Sequence, residues 1–361
     1  MATHEEELAR LRGAIDEIDK EVLRLVSQRA CHAQAIGDIK KKAGQLSFWN
    51  PEREAEVLQK VEAANPGPLP GRFLRHWYLE LMSACLALEK PLRVAYFGPE
   101  GSYTHTAALK YFGSSVEAVS EVSIAEVFRK TECQEVDFGV VPVENSTEGF
   151  VNHTLDMFLQ SPLSIGGETL LRIHHHLLCK EAGLKNIARI YAHPQALAQC
   201  RRWLERHVPW AECVAASNNA EAVRIAASEA KAAAIAGESA ARLYGLPMLA
   251  SHLEDEPNNT TRFLVLGNQQ RAPTGQDKTS LLSLTLDEPG TLLRLLAPLA
   301  KNGISMSKIE SRPSKRGLWN YVFFLDIEGH KEEPLIAEAL EEMKKASILF
   351  KVLGSYPQAQ L

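Results

Sequence analysis

Apolar side chains recur at helical spacing near the start of the chain. From Leu8 to Leu25 the intervals alternate between three and four residues, and the stripe continues to Ile36 and Ile39. This period predicts one amphipathic helix over residues 5–42. At 1.5 Å per residue it would be about 57 Å long, which exceeds the width of a small domain. We therefore expect a second chain to cover the stripe.

Two shorter helices are predicted to follow, over residues 51–64 and 72–89. Pro51 suits the first position of a helix, because the N–H that proline lacks would have no helical partner there. The run Asn-Pro-Gly-Pro-Leu-Pro-Gly at 65–71 separates the two helices. Residues 1–90 are thus predicted to form an all-helical domain.

The pattern changes at Pro91 to short apolar runs that alternate with helical segments. The runs occupy 93–98, 136–144, 189–194, 231–237 and 262–267. This alternation predicts an α/β domain over 91–268 with a largely parallel sheet. A polar stretch at 269–278 is predicted to be a linker. Residues 279–361 follow the order βαββαβ, which is typical of a ferredoxin-like unit.

Composition and charge narrow the function. Hydrophobic content of 45% and charged content of 24% are typical of globular domains, and 361 residues are enough for two or three of them. The net charge of -5 favours neither nucleic acid nor a membrane surface as a partner, so small molecules are expected. The acidic start lacks a leader pattern, and the six cysteines form no Cys-x-x-Cys pair. These features predict a cytoplasmic protein with reduced thiols.

Cations on the first two helices suggest an anion site. Arg29 interrupts the apolar stripe, and burying it unpaired would cost several kcal/mol. Lys40 lies eleven residues on, close to three helical turns, and therefore shares that face. Arg12 flanks the stripe, and Arg53 with Glu54 follows on the next helix. Spacing alone leaves open the alternative that these are solvated charges, with Arg29 reaching out of the stripe.

This segment resembles the all-helical chorismate mutase family through Arg12, Arg29, Lys40, Arg53-Glu54 and the run MSACLALE at 82–89. The resemblance implies an intertwined dimer that rearranges chorismate to prephenate. It assigns Arg29, with Arg12 of the partner subunit, to the two substrate carboxylates, and Lys40 with Glu89 to the ether oxygen. The substrate-binding residues that it implies in addition are Asn50, Arg53, Glu54 and Cys85. Such a pericyclic reaction needs no nucleophile or cofactor, only conformational restraint and electrostatic stabilisation.

Glu89 and Cys85 depart from some members of that family, which carry Gln and Ser at these positions. A carboxylate cannot donate a hydrogen bond, so Glu89 would have to be protonated to assist the ether oxygen. We therefore expect mutase activity to fall as the pH rises through the range in which Glu89 ionises. Replacing Glu89 with Gln is expected to flatten that profile. No hydroxyl contact is expected from position 85.

Three polar turns in the middle of the chain suggest a second anion site. Two are strand-to-helix junctions, at 98–104 and at 144–149, and the third precedes the strand at 262–267. The first turn places Ser102 or Thr104 near a predicted helix N-terminus, where free amides attract anions. Each turn taken singly is typical of an ordinary capped junction.

The order GPEGSYTHTAA, VPVENSTEGFV, AHPQALAQC and NNTTRFLVL closely resembles the prephenate dehydratase family from Pro91 to Gly267. The resemblance implies two lobes, like those of type II periplasmic binding proteins, with prephenate converted in the cleft to phenylpyruvate, carbon dioxide and water. It implies no cofactor. The catalytic segment would be Thr261, Arg262 and Phe263, and the pocket would be lined by Ser102, Glu144, Asn145, Ser146 and Gln199.

The departing hydroxyl of prephenate needs a proton, and this need suggests roles for the pocket residues. Thr261, working with Glu144 as a donor, is the expected proton source, and Arg262 is expected to hold a carboxylate bidentately. An apolar cleft would favour the protonated form of Glu144. Ala192 stands where many relatives have Ser, so no hydroxyl role is expected there.

The run His174-His-His176 raises a metal alternative. On a strand only His174 and His176 would share a face, and no nearby Cys or carboxylate completes a set. No metal site is therefore expected.

Segments 287–293 and 308–313 resemble the ACT domains of phenylalanine-regulated enzymes. The resemblance covers 279–361 and implies paired domains with phenylalanine bound between them. Amides near Gly290 would hold its carboxylate and Glu310 its ammonium. The effector-binding residues so implied are Gly290, Thr291, Leu292, Glu310, Ser311, Arg312 and Pro313. A docking module without a ligand remains the alternative.

Two alternatives for the whole chain remain open besides a bifunctional, feedback-inhibited homodimer or larger homo-oligomer. One is a monofunctional dehydratase whose helical segment only dimerises. The other is a non-catalytic amino-acid sensor on a solute-binding scaffold.

Overall fold

A computed structural model describes residues 3–44, 49–269, 271–286, 288–313 and 321–359. The chain divides into two compact units. One comprises Met1–Leu92 with Phe112–Glu117, and the other comprises Arg93–Tyr111 with Ala118–Leu361. In the part of the chain that is described, no helix is both long and apolar enough to cross a membrane.

The first unit contains the three predicted helices, α1 (His4–Lys42), α2 (Pro51–Ala63) and α3 (Gly71–Glu89). Thr3 and Glu6 form a capping box at the start of α1, and the Asn50 side chain accepts a hydrogen bond from Arg53 N at the start of α2. These caps satisfy amides that a helix start otherwise leaves without partners. The predicted all-helical fold of this segment is confirmed.

The apolar stripe of α1 has little cover within the described chain. Ile15 and Ile18 are 56% and 61% exposed, and Gly37 is the one buried residue of this helix. Gly37 faces α3 so closely that an added Cβ would lie 2.9 Å from Glu89 Cγ. The stripe therefore remains an apolar surface that this chain alone does not bury.

The second unit begins with a lobe built on a sheet of strand order β2-β1-β3-β11-β5, with β4 paired to β3. Its elements are β1 (Arg93–Phe97), α4 (Tyr103–Phe112), β2 (Glu117–Glu121), α5 (Ile124–Glu132), β3 (Phe138–Asn145), β4 (Gly149–Phe150), α6 (Asn152–Phe158), β5 (Ser164–Arg172) and β11 (Thr260–Gly267). Strands β1 and β3 are parallel, whereas β11 runs antiparallel to both β3 and β5.

The second lobe has its own sheet of order β10-β6-β9-β7-β8. Its elements are β6 (His176–Cys179), a 3-10 turn (Leu184–Asn186), β7 (Arg189–Ala192), α7 (Pro194–Gln199), α8 (Arg201–His207), β8 (Glu212–Ala215), α9 (Asn219–Ser228), β9 (Ala232–Ala236), α10 (Glu238–Tyr244) and β10 (Met248–Ser251). Strand β7 is parallel to β8 and β9, and β6 is antiparallel to β9 and β10.

The two lobes implied by the resemblance are confirmed. The prediction of a largely parallel sheet is wrong, because both sheets mix parallel and antiparallel strands. It crosses between the lobes twice, after β5 and after β10, and on its return β11 runs antiparallel to its neighbours. A central strand that is buried on both faces carries a continuous apolar run whether it is parallel or antiparallel to its neighbours. The apolar runs therefore did not distinguish a parallel sheet from a mixed one.

The last part is the predicted βαββαβ unit, with β12 (Asp277–Thr285), α11 (Thr291–Lys301), β13 (Met306–Pro313), β14 (Tyr321–Glu328), α12 (Pro334–Lys345) and β15 (Leu349–Pro357). Its antiparallel sheet has the order β13-β14-β12-β15. Leu281 packs with the two helices of the unit, whereas Leu282 belongs to the core of the first lobe. The unit thus shares a hydrophobic core with that lobe.

The stretch predicted as a linker is packed against the protein where it is described. Arg271 is 8% exposed, and its Nε donates to the Gly166 carbonyl at 2.7 Å. Asp277 is 2% exposed and accepts from Thr274 N at 2.6 Å. Polar composition suggested a solvated linker, but these polar groups find their hydrogen bonds inside the structure.

Candidate active sites and effector site

The helical unit encloses a cavity of about 510 Å³ between its three helices. Seven of the predicted residues line it: Arg29, Lys40, Asn50, Arg53, Glu54, Cys85 and Glu89. Arg12 is exposed and does not line the cavity. It lies seventeen residues before Arg29 on α1, and this separation corresponds to about 25 Å along the helix. One chain therefore supplies every predicted mutase residue to one cavity except Arg12.

Most polar groups of this cavity already bond to one another. Arg29 Nη1 donates to Cys85 Sγ at 2.9 Å, and Lys40 Nζ lies 3.2 Å from Glu89 Oε2. Trp49 Nε1 donates to Glu54 Oε2 at 3.0 Å. Asn50 caps α2, so its amide oxygen is engaged locally. A dianion entering the cavity would find Arg29 and Lys40 held in place on one helix face.

The second candidate site lies where β3 pairs with β11. In this register Thr261 pairs with Asn145, and Arg262 pairs with Glu144. Side chains alternate along a strand, so Thr261 and Asn145 share one face of the sheet. Arg262 and Glu144 share the opposite face. Thr261 and Arg262, which the resemblance assigns to one catalytic segment, therefore lie on opposite faces of the sheet.

Asn145 orients the hydroxyl of Thr261. Its Nδ2 donates to Thr261 Oγ1 at 2.8 Å and to Asn259 Oδ1 at 2.8 Å. Its Oδ1 accepts from Thr147 N at 3.0 Å and from Glu148 N at 3.1 Å, which determines the orientation of the amide. Because Thr261 Oγ1 accepts from Asn145, its own hydrogen remains to be donated to another group.

Polar contacts continue from Thr261 towards the second lobe. Asn259 Nδ2 donates to Gln199 Oε1 at 3.1 Å, and His175 Nε2 lies 2.9 Å from that same oxygen. Tyr103 OH lies 3.1 Å from His175 Nδ1. Burial lowers the pKa of His175 and raises that of Tyr103, so both rings are neutral near pH 7.

Sequence reasoning missed Tyr103, His175 and Asn259 as members of this site. Tyr103 and Asn259 lie inside the motifs that carry the resemblance, within two residues of Ser102 and Thr261. His175 lies in the histidine run, where the alternation of strand side chains separates it from His174 and His176. Position in a motif was the available signal, but contacts such as Tyr103 with His175 and Asn259 with Asn145 join segments far apart in the chain.

Arg262 does not face the cleft as a carboxylate clamp, and that expectation is wrong. Its Nε donates to Glu168 at 2.6 Å, its Nη1 to Asp326 at 2.5 Å and its Nη2 to Tyr356 OH at 2.9 Å. Asp326 and Tyr356 belong to the C-terminal sheet. All three guanidinium nitrogens are thus committed to a buried cluster between the first lobe and that sheet.

Glu144 does not work beside Thr261 in an apolar cleft, and that expectation is also wrong. Its Oε1 bonds to the ammonium of Lys308 on β13, and its Oε2 lies 4.0 Å from Arg262 Nη1. Its carboxylate is thus engaged with cations on the face of the sheet opposite Thr261. Its position follows from pairing with Arg262 on the face away from Thr261.

The other predicted dehydratase residues have structural contacts. Ser146 Oγ accepts from Thr260 N at 2.9 Å and donates to the Asn258 carbonyl. Ser102 Oγ accepts from His105 N at 3.3 Å in the first turn of α4. Phe263 is 1% exposed, within the core. Gln199, by contrast, joins the polar chain described above.

The expectation that no carboxylate accompanies the histidine run is wrong. Glu254 Oε1 lies 2.7 Å from His174 Nδ1, and His252 Nδ1 lies 3.1 Å from the same nitrogen. The segment after β10 brings these two residues beside the run, although they are 78 and 80 positions away along the chain.

The predicted effector residues lie at the start of α11 and on the edge strand β13. Gly290 has φ of +79° at the N-cap, a conformation that favours glycine, and Thr291 Oγ1 accepts from Arg294 at 2.9 Å. Leu292, Glu310, Ser311 and Pro313 are partly or fully exposed. Arg312 instead turns to the first lobe, where Nη1 donates to the Asn152 carbonyl at 2.6 Å and lies 3.0 Å from Asp156 Oδ1. Asp287 lies outside the described residues.

Three family models match the chain in the order of its parts. They are chorismate mutase type II over residues 11–90, prephenate dehydratase over 94–271 and the ACT domain over 279–344. A bifunctional chorismate mutase/prephenate dehydratase of Pseudomonas aeruginosa is 50% identical over 362 residues, covering 99% of each chain.

Solved structures resemble the second unit. Prephenate dehydratase from Arthrobacter aurescens in complex with L-Phe is 32% identical with a TM-score of 0.69, covering 74% of this chain and 90% of that one. A quorum quenching acylase, GqqA, is 28% identical with a TM-score of 0.68, covering 73% of this chain and 97% of that one. Fold alone therefore does not distinguish an acylase from a dehydratase, whereas the matched families do.

Proposed function

Since the chain belongs to the family of bifunctional chorismate mutase/prephenate dehydratases, we propose that its helical unit forms prephenate, its two-lobed part converts prephenate to phenylpyruvate, and its C-terminal unit binds phenylalanine as inhibitor. The observation that carries this proposal is the full-length match to bifunctional relatives, which includes all three parts in one order.

In the mutase cavity, Arg29 binds one carboxylate of chorismate and Lys40 faces the ether oxygen. Partial negative charge develops on that oxygen as the C–O bond breaks, and a cation there stabilises the transition state. In the absence of substrate, Lys40 forms an ion pair with Glu89. When chorismate binds, the Lys40 ammonium also donates a hydrogen bond to the ether oxygen. The cavity holds the substrate in its reactive conformation, which supplies the rest of the rate enhancement.

A homodimer completes this cavity. The exposed stripe on α1 is the apolar surface that a second chain would bury, and Arg12 lies on the same long helix, away from its own cavity. In an intertwined pair, Arg12 of the partner subunit reaches the second carboxylate of the substrate. The six cysteines are free thiols, which fits the proposed cytoplasmic location.

In the dehydratase cleft, Thr261 donates a hydrogen bond to the departing hydroxyl of prephenate. The bond to the ring carboxylate and the C–O bond break together: carbon dioxide leaves, its electron pair enters the ring, and the hydroxyl departs as the ring becomes aromatic. Thr261 passes a proton to the departing hydroxyl, which leaves as water, and solvent returns a proton to Thr261. Asn145 sets the direction of the Thr261 hydroxyl, and the neutral His175 holds Gln199 through their hydrogen bond.

The C-terminal unit reaches the dehydratase strands directly. Lys308 bonds to Glu144, and Arg262 bonds to both Asp326 of the C-terminal sheet and Glu168 of the first lobe. Glu144 and Arg262 are the immediate chain neighbours of Asn145 and Thr261. A shift of β13 when phenylalanine binds would therefore move the strands that position Thr261.

Two separate assays test the proposal. Chorismate loss and phenylpyruvate formation are measured on the full chain, each with and without phenylalanine. Both activities are expected, with phenylalanine lowering the second. Phenylpyruvate formation without chorismate loss would indicate a monofunctional dehydratase, and phenylalanine binding without either activity would indicate a sensor.

A further inference from the structure

We propose that His174, His252 and Glu254 form a binding site for a divalent transition-metal ion of the Zn²⁺ class. The three residues lie on the two segments that connect the lobes. His174 follows β5 on the first crossing, and His252 and Glu254 follow β10 on the second. The site therefore joins both crossings.

The distances between the three donor atoms match those of ligands around one ion. His174 Nδ1 lies 2.7 Å from Glu254 Oε1 and 3.1 Å from His252 Nδ1, and the third separation is 3.5 Å. Zinc binds imidazole nitrogen and carboxylate oxygen at about 2.0–2.2 Å. Ligands at that distance, separated by roughly 90–109°, lie about 2.9–3.4 Å apart. One of the three separations lies within this range, and the other two, 2.7 and 3.5 Å, lie close to its ends.

Hydrogen bonds satisfy this triangle only poorly. If His174 Nδ1 carries a hydrogen and donates it to Glu254, the same nitrogen has no lone pair to accept from His252 Nδ1, although the two nitrogens are 3.1 Å apart. If His252 Nδ1 carries a hydrogen, its acceptor is Glu254 Oε1 at the long distance of 3.5 Å. One shared cation, by contrast, accepts all three lone pairs. The rings of His174 and His252 are nearly perpendicular, with centroids 4.5 Å apart.

The surrounding structure holds these ligands in position. Glu254 is nearly buried, and its second oxygen accepts from His175 N at 2.9 Å, which orients the carboxylate as outer hydrogen bonds orient metal ligands. His252 adopts φ of +58°, an uncommon backbone conformation outside glycine, and this conformation directs its ring at His174. The His252 side chain is 62% exposed, so an ion has access from solvent.

A third imidazole lies beside the triangle. The ring of His176 is 5.4 Å from that of His252, centroid to centroid, and its buried Nδ1 has no hydrogen-bond partner within the described chain. Buried polar atoms without a partner are rare and call for an explanation such as an ion or water. Two or three imidazoles with one carboxylate favour zinc over Mg²⁺ or Ca²⁺, which prefer oxygen ligands.

An ion bound here would link the two crossings and restrain any movement between the lobes. It would also restrain His175, which lies between His174 and His176 in the chain and bonds to Gln199 of the dehydratase site. We therefore expect bound metal to slow dehydration and leave chorismate rearrangement unchanged. This consequence rests on the proposed function, whereas metal binding itself does not.

The experiment uses the full chain without a histidine tag. Co²⁺ is titrated into the protein while its visible absorption is recorded, and Zn²⁺ binding is measured by calorimetry. Wild type is expected to bind one ion per chain with the Co²⁺ absorption of a nitrogen- and oxygen-ligated site. His252→Ala and Glu254→Gln are expected to weaken Zn²⁺ binding at least tenfold, and His153→Ala, an exposed control, is expected to leave it unchanged.

Circular dichroism confirms that each variant is folded before its affinity is compared. His252 is the informative position because its exposed side chain can be removed without opening the core. Equal Zn²⁺ affinity in wild type, His252→Ala and Glu254→Gln would overturn the proposal, as would the absence of any Co²⁺ spectrum. The Co²⁺ spectrum does not depend on dehydratase activity. Absence of that activity would therefore contradict the proposed function and not the metal site.

Discussion

Lys308, on the edge strand of the C-terminal sheet, bonds to the carboxylate of Glu144 in the strand that carries Asn145. Glu144 faces the C-terminal unit, and Asn145 faces the dehydratase cleft. One ion pair therefore connects the strand that contains the predicted effector residues to the strand that orients Thr261.

Breaking this ion pair is expected to weaken feedback. In Lys308→Met, the phenylalanine concentration for half-inhibition of dehydration should rise roughly five- to tenfold, because coupling energies between sites are typically 1–3 kcal/mol. Lys344→Met on α12 carries the same change at an exposed position and should behave as wild type. Unaltered inhibition in Lys308→Met would contradict a route through this pair.

Removing the hydroxyl of Thr261 should abolish dehydration selectively. Thr261→Ala is expected to lower kcat for phenylpyruvate formation by roughly 10²–10³, the range seen when one stabilising donor is lost. Thr261→Ser keeps the hydroxyl bonded to Asn145 and should retain most of the activity. Chorismate loss should be unchanged in both. Equal loss of the two activities would count against separate sites.

Arg262 is expected to matter for stability more than for substrate binding. Arg262→Met leaves the carboxylates of Glu168 and Asp326 buried without their guanidinium, which costs about 3–5 kcal/mol when one partner of a buried pair is removed. Arg201→Met, which breaks an exposed pair with Glu205, should leave stability close to that of wild type. Urea unfolding of both variants measures the difference. If Arg262→Met changed the KM for prephenate without changing stability, Arg262 would instead be a residue that binds a substrate carboxylate.

Mutase activity is expected to depend on a polar side chain at position 89. Glu89 bonds to Lys40 in the cavity, and a donor at this position can also reach the ether oxygen. Glu89→Gln should retain chorismate loss because its amide donates hydrogen bonds, whereas Glu89→Leu, which has neither donor nor acceptor, should lower kcat. Equal rates in the two variants would refute this role.

The buried His175 should make stability fall in mild acid. Burial lowers its pKa below the usual 6.5, so the unfolded chain binds the proton more readily than the folded one. The free energy of unfolding should therefore decrease as the pH drops below about 6.5. Between about pH 7 and 5 the slope should be shallower in His175→Gln than in wild type or His153→Gln. Identical slopes in all three proteins would exclude His175 as the source.

The amino-acid sequence by itself determined the local elements and their order. Helical spacing predicted α1, α2 and α3, and the order of motifs indicated the families, because both signals lie within short segments. Residues such as Arg29 and Lys40 could be placed on one face from their separation alone, since a helix has a fixed period.

Only the tertiary structure decided which faces the dehydratase residues occupy. Thr261 and Asn145 are 116 positions apart, and only the pairing register of their strands places the two side chains on one face. The same holds for Lys308 with Glu144 and for His174 with Glu254, which meet across 164 and 80 positions. Strand pairing and the two crossings between the lobes bring such residues together. The spacing of apolar residues along the chain does not indicate which distant strands pair, so these contacts could not be predicted from it.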